Sequence, residues 1–332
     1  MLDASVTPRA IVRRLDEFVV GQDAAKRVVA VAVWTHFRKI ARSRAQGLPL
    51  EKSNVLLIGA SGTGKTLTCD TLARILGVPF VTAEATSLAQ SRYVGDEIEA
   101  MLQRLVDKAG GDAARAGRGI VFIDEIDKLK AGGGGDARAL SGESVQHALL
   151  KIMEGAQVRL GDGRYVDTSE VLFICGGAFV GLDRILKDTH GYGFIATSSK
   201  ESRQILERLN ARVKPTDLFT YGLIPEFTGR LPVIARFDEL SKPTLVRIMT
   251  EPRNALYRQF RDLFAAEGVE LVVEPRVFEQ IAEVALEYKT GARSLRGIFE
   301  ELMSPVLFEL PERAGARRVT FVSLFAEPAW QA

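Results

Sequence analysis

The hydrophobic period of the chain changes twice. Residues 8–46 carry apolar positions at helical spacing, broken at Val19-Val20-Gly21-Gln22 and resumed as a long amphipathic stretch over 23–44. Thr7-Pro8 supplies the start signal, with threonine at the cap and proline at the first helical position. Between residues 54 and 180, short apolar runs alternate with helical segments. The runs predict strands over 54–58, 79–83, 119–123 and 171–175, and the alternation predicts a parallel sheet with helices on both faces. Residues 131–137 and 187–202 read as loops, and 160–164 as a hairpin turn. Around 238–242 the pattern becomes mostly helical, over 242–266, 275–288 and 292–309, with one short strand over 269–273. A strand over 318–322 and an undistinguished tail complete the chain. The expected division is an N-terminal helical segment (1–53), a large α/β domain (54–238), a smaller mostly helical domain (239–315) and a C-terminal strand and tail (316–332).

The first predicted strand runs into Gly59-Ala60-Ser61-Gly62-Thr63-Gly64-Lys65-Thr66, which fits G-x-x-x-x-G-K-[ST]. Helical spacing follows over 67–76. Strand, glycine turn and helix start is the arrangement that phosphate binding needs. The glycines let backbone N–H groups wrap phosphate oxygens, and the helix N-terminus adds partial positive charge. Lys65 is expected to reach the β- and γ-phosphates of ATP, and Thr66 to ligate Mg²⁺. Roughly 60 residues later the apolar run Ile120-Val121-Phe122-Ile123 ends in Asp124-Glu125, the separation of a neighbouring strand in such a sheet. Asp124 is placed on Mg²⁺ and Glu125 on the attacking water, so the pair points to hydrolysis beyond binding.

Composition narrows the partners. The 44 basic and 42 acidic residues leave a net charge of +2, which gives no support to a nucleic-acid-binding domain. No apolar stretch reaches the ~18 residues that a membrane helix requires, and the N-terminus has no signal-peptide character. The only cysteines, Cys69 and Cys175, lie in apolar segments and read as small core residues. The three histidines show no ligand spacing. The expected setting is cytoplasmic.

Several blocks together carry a family resemblance: Phe18-Val19-Val20-Gly21-Gln22, the phosphate loop, Tyr93-Val94-Gly95-Asp96, and Ile123-Asp124-Glu125-Ile126-Asp127-Lys128. Further on come Ser141-Gly142-Glu143, Phe173-Ile174-Cys175-Gly176-Gly177-Ala178-Phe179, Gly222-Leu223-Ile224-Pro225-Glu226-Phe227 and Thr290-Gly291-Ala292-Arg293. Over roughly residues 7–313 the chain resembles the ClpX family of AAA+ unfoldases, and no inserted domain of the HslU kind is visible. The resemblance implies an α/β AAA+ ATPase domain followed by a smaller, mostly helical domain, with nucleotide in the crevice between them, assembled as a homo-hexamer. It places Val19 and Val20 on adenine, and Arg230 as a finger on the neighbouring subunit's γ-phosphate. It makes Arg293 a sensor that couples domain closure to nucleotide, and Tyr93-Val94 a pore loop gripping protein substrates. A polar sensor at the strand end near Cys175 is not evident.

The chain departs from the family pattern in four places. The N-terminal zinc-binding domain is not seen before the ATPase core. Arg92 stands where glycine usually precedes the pore tyrosine. The second pore loop is a short hairpin over 158–166. The tripeptide that docks a ClpP-type peptidase is Tyr192-Gly193-Phe194, with tyrosine in place of an aliphatic residue. The expected function is an ATP-dependent unfoldase that threads polypeptides through a hexameric pore, as the ATP-binding subunit of a Clp-type protease. The alternatives are a stand-alone remodelling ATPase with a dedicated substrate and a nucleic-acid motor, which the balanced charge disfavours.

Overall fold

The computed structural model describes residues 6–47, 51–91, 93–130, 137–190, 213–313 and 315–332. Helix α1 (Pro8–Asp16) starts as the sequence predicts, with the Thr7 hydroxyl accepting the Ala10 N–H at 3.2 Å. Helix α2 (Asp23–Gln46) begins after Gln22, which turns the chain through a left-handed conformation, and ends on left-handed Gly47.

Five parallel strands form the central sheet: β1 (Val55–Ile58), β2 (Phe80–Glu84), β3 (Ile120–Asp124), β6 (Leu172–Gly177) and β7 (Val233–Arg236), in the order β2-β3-β6-β1-β7. Each of the first four lies one residue C-terminal to its predicted start. For β1 the reason is Asn54, whose side chain is spent bridging the Phe173 N–H and the Arg230 carbonyl. Successive side chains alternate faces. Val55, Leu57, Ile120, Phe122, Leu172 and Ile174 pack toward α2 and α3 (Lys65–Leu76). Leu56, Ile58, Val121, Ile123, Phe173 and Cys175 pack toward α5 (Val94–Lys108) and α7 (Ala137–Glu154). Burial on both faces is why β1, β3 and β6 read as apolar runs, whereas edge strand β7, half-buried and ending in exposed Arg236, escapes the sequence pattern. Cys69 and Cys175 are fully buried, and burial pushes the Cys175 thiol up to about 12. The hairpin of β4 (Gln157–Arg159) and β5 (Tyr165–Asp167) closes as predicted, with Leu160 N–H donating to the Arg164 carbonyl at 2.8 Å.

The second body has its own core, centred on Phe264, Phe278, Phe299, Met303 and Phe321. Two expectations change here. The helix expected over 242–266 is two helices, Lys242–Thr250 and Leu256–Ala266, because Pro252 lacks the N–H that would continue the first. The tail expected to be undistinguished contains β10 (Ala329–Gln331). It pairs antiparallel with β9 (Arg318–Phe321), which lies parallel to β8 (Glu270–Val273). A strand of three residues is too short to show a period. A third change concerns the loop expected over 187–202. Its first four residues belong to helix α8 (Leu182–His190), which Leu182, Ile185 and Leu186 anchor by one apolar face. Residues 191–202, and 131–136 of the glycine loop, lie outside the described residues.

His36 on α2 shows how the N-terminal segment is locked to the sheet. It is almost fully buried, its Nε2 lies 2.9 Å from the Glu170 carbonyl, and its Nδ1 has no partner among the described residues. Nε2 must carry the proton, since a carbonyl only accepts. A second proton on Nδ1 would be a buried donor without an acceptor, near Lys52 and Lys39. Burial first, and those cations next, pull the His36 pKa from 6.5 to about 4. The unfolded chain therefore binds the proton first as pH falls. Stability from this site is complete above pH 6.5 and is lost as pH drops toward 4. Denaturant titrations are expected to show a loss of about 2 kcal/mol between about pH 7 and 5. His36→Gln, which keeps the donor to Glu170, should flatten that slope. An unchanged slope would rule out His36 as its source.

Candidate nucleotide site

The phosphate loop leaves β1 at Gly59 and enters α3 at Lys65. Two backbone features require glycine. A Cβ on Gly59 would sit 2.7 Å from Phe237, and Gly64 adopts φ +98°, a left-handed conformation that side chains resist. Thr63 closes the loop by donating to the Ala60 carbonyl at 2.8 Å. Lys65 is buried, with Nζ donating to the carbonyls of Gly59 at 2.6 Å and Ala60 at 3.0 Å. Burial lowers its pKa, while Asp124 and Asp127 raise it and Arg293 opposes it. Ser61 and Thr66 are exposed, and the Thr66 hydroxyl stands 3.5 Å from the Asp124 carboxylate.

Asp124 ends β3 beside this loop, its carboxylate accepting the Glu125 N–H at 2.9 Å. Glu125 takes a left-handed conformation, φ +59°, which costs a non-glycine residue roughly 1 kcal/mol or more. Its carboxylate accepts the Thr86 hydroxyl at 3.1 Å. The neighbouring end of β6 makes room for these acids. A Cβ on Gly176 would meet the Phe122 ring at 2.7 Å and Asp124 at 3.2 Å, and one on Gly177 would meet Asp127 at 2.6 Å. As the sequence indicated, no polar side chain stands at the end of β6. The backbone substitutes for one: the Ala178 and Phe179 N–H groups donate to Asp127 at 3.3 and 3.2 Å.

The second body closes over the loop. Gly62 and Gly291, both at positive φ, meet backbone to backbone: a Cβ on Gly62 would lie 2.3 Å from the Thr290 carbonyl, and one on Gly291 2.7 Å from the Ser61 carbonyl. Ala292 N–H donates to the Gly62 carbonyl at 3.3 Å, and Arg293 opens the helix Arg293–Glu309 immediately after. Arg296, one turn on, pairs with Glu300 at 2.8 Å. Val19 and Val20 are buried in the wall of a 720 Å³ cleft that also takes in Arg247 and Arg253. The phosphate loop does not line that cleft. Gln22 joins them, donating to the carbonyls of Thr63 at 3.4 Å and Asp238 at 2.8 Å and accepting the Asp238 N–H at 2.8 Å.

A parallel sheet buried between helices, a glycine loop at the end of its β1 strand and a helical lid are the parts of an AAA+ ATPase. The AAA domain (Cdc48 subfamily) family matches residues 50–234, and the C-terminal, D2-small domain, of ClpB protein matches 240–321. An ATP-dependent Clp protease ATP-binding subunit ClpX from Azotobacter vinelandii is 46% identical over 337 residues, spanning 95% of this chain and 76% of that protein. The chain belongs to the ClpX family. Members from Treponema denticola and Borrelia duttonii are 44% and 42% identical, each over 94% of this chain and over 79% and 76% of their own lengths. Membership makes the chain a nucleotide-binding AAA+ ATPase of the unfoldase class. No helix among the described residues is long and apolar enough to cross a membrane, and no cluster of metal-ligating side chains occurs among them.

Other residues that the ClpX resemblance singles out lie away from the phosphate loop. Arg230 sits at the N-terminal edge of the sheet: its carbonyl accepts from Asn54, the residue before β1, while the phosphate loop follows β1. Its guanidinium pairs with Glu154 at 2.6 Å. Tyr93 caps α5 and is 60% exposed, whereas Val94 packs against the core, so the two do not share a face. Arg92 and Tyr192-Gly193-Phe194 lie outside the described residues. The sequence alone gives no role to Gln22, Asp127 or Gln146. Gln146 had a visible signal: it is a polar residue on the apolar stripe of Val145, Leu149, Ile152 and Met153.

Proposed function

We propose that the chain hydrolyses ATP at the boundaries of a homo-hexameric ring and uses the cycle to pull polypeptide past Tyr93. The placement of Arg230 is what supports this reading. The arginine lies a strand's length, about 13 Å, from its own phosphate loop, so it serves a phosphate belonging to a neighbour. An exposed ion pair such as Arg230–Glu154 is worth about 0–1 kcal/mol, and the guanidinium can leave it for a phosphate at little cost.

Within one site, backbone N–H groups of Gly62, Thr63 and Gly64 and the Lys65 ammonium bind phosphate oxygens. The hard oxygen donors Thr66 and Asp124 suit Mg²⁺, which supplies charge neutralisation on the phosphates when bound. Glu125 orients the attacking water, with Thr86 holding its carboxylate until substrate is in place. Arg293 adds a permanent charge from the second body and links that body's position to the phosphates. Val19 and Val20 cover the adenine.

Tyr93 offers an aromatic ring on a helix cap, a shape that wedges against an extended chain without reading its sequence. The relatives are named as subunits of an ATP-dependent Clp protease. A ClpP-type peptidase is the partner that name suggests, with Tyr192-Gly193-Phe194 as its anchor. Tyr93→Ala is expected to keep ATP turnover within about 3-fold of wild type while abolishing unfolding of a tagged, folded substrate, since gripping and hydrolysis use different residues. Fluorescence loss from a tagged fluorescent protein measures it. Normal unfolding by Tyr93→Ala would remove the pore-loop role.

A further inference from the structure

Helix α7 runs between two elements that, in the ring reading above, act on different nucleotides. Gln146, midway along it, is completely buried. Its Nε2 donates to the Leu129 carbonyl at 2.6 Å, and its Oε1 accepts the Ile224 N–H at 2.9 Å. The partners fix the orientation of the amide, because a carbonyl only accepts and a peptide N–H only donates.

Both partners sit at informative places. Leu129 closes the short helical turn Ile126–Leu129 that leaves Asp124-Glu125. Ile224 caps the helix Pro225–Gly229, which delivers Arg230 at its end. Pro225 cannot donate a backbone hydrogen bond, so the Ile224 N–H is the nearest upstream handle on that helix. The far end of α7 holds the arginine itself, through Glu154.

Gly142 explains how Gln146 reaches Leu129. A Cβ at 142 would lie 2.9 Å from the Leu129 carbonyl oxygen and 3.1 Å from its carbon. Glycine lets α7 press against the turn, and Gln146, one helical turn later on the same face, then meets that same carbonyl. At this contact a single side-chain amide joins the carbonyl that ends the Asp124–Leu129 segment to the Ile224 N–H.

We propose that Gln146 is a positioning residue that sets Arg230 for the neighbouring subunit's phosphates according to the conformation of its own subunit's Asp124–Leu129 turn. The proposal rests on Arg230 acting across the boundary. A side chain of equal length without the amide removes the hydrogen-bonded link between the turn and the arginine helix, although the core remains filled.

The test compares Gln146→Met and Gln146→Leu in the full chain. Methionine removes both hydrogen bonds. Leucine removes them too, with a shorter apolar side chain. Nucleotide binding, thermal unfolding and ATP turnover are measured for each variant alone and mixed with equal amounts of Lys65→Ala. Turnover alone is expected to fall about 10- to 100-fold, the range that follows a displacement of about 1 Å in a catalytic group, with nucleotide affinity unchanged.

Mixing is expected to raise turnover severalfold above the mean of the two parents, because Lys65→Ala subunits contribute an intact Gln146 and Arg230 to an intact phosphate loop next door. A merely structural defect would not be rescued by a neighbour. Arg230→Ala mixed with Lys65→Ala is the control. If that control is rescued and the Gln146 mixtures give only the parental mean, Gln146 serves its own site and the proposal is overturned. Wild-type turnover in both variants overturns it too. If the control itself is not rescued, the across-boundary role of Arg230 is wrong, and the proposal falls with it. Should Gln146→Met fail to fold, Gln146→Leu gives the same readout.

Discussion

Arg230→Ala is expected to lower ATP turnover by about 10³-fold or more while nucleotide affinity stays near wild type, the loss typical of removing an arginine that stabilises transferring phosphate. The structure argues that the fold survives. The residue is exposed, its ion pair with Glu154 is a surface pair, and Asn54 holds its backbone carbonyl rather than its side chain. The defect should therefore be kinetic. Its signature is recovery on mixing with Lys65→Ala, because only then does an intact arginine face an intact phosphate loop. Full activity of the wild-type chain as a dilute monomer would sink the idea, as would retained turnover in Arg230→Ala rings.

Glu125→Gln should give the second large effect: turnover reduced about 10²- to 10⁴-fold, the usual worth of a positioned acid–base group, with ATP still bound. Glutamine retains an oxygen for the Thr86 hydroxyl and carries a side chain of the same length. The left-handed backbone at 125 is no harder for it to adopt than for glutamate. What is lost is the charge that polarises water. A thermal shift on adding ATP, persisting for hours in the variant and decaying in wild type, would report it. Wild-type turnover would show that Glu125 does not orient the water.

Much of this was legible in the sequence, for physical reasons that differ by element. Strands β1, β3 and β6 were visible because they are buried on both faces and so are almost wholly apolar, whereas β7, a four-residue edge strand ending in exposed Arg236, was missed. The phosphate loop was visible because glycine is obligatory where a backbone must approach phosphate or take positive φ, as at Gly59 and Gly64. Asp124-Glu125 stood out as charges ending an apolar strand. The break at Pro252 was missed although proline announces it. That break is put to use: Arg253 turns back to bond Glu17 through both its N–H and its guanidinium, at 2.9 Å each. β10 was missed because three residues show no period. The linking side chains Gln22 and Asp127 were hidden for another reason. Each satisfies backbone groups that are remote in sequence, by 41 to 216 residues for Gln22, and no local pattern encodes such partners.

The backbone contact between Gly62 and Gly291 has a mechanical consequence. It makes the phosphate loop the fulcrum of a lever. The helix Arg293–Glu309 starts two residues beyond the contact and is 17 residues long, so at about 1.5 Å per residue it extends roughly 25 Å. A tilt of about 10° at the fulcrum swings its far end by roughly 4 Å. With no side chain at either glycine to act as a cushion, a shift of the loop by the width of one phosphate oxygen passes directly into that arm. Small displacements around the nucleotide then become movements large enough to reposition a whole neighbouring body.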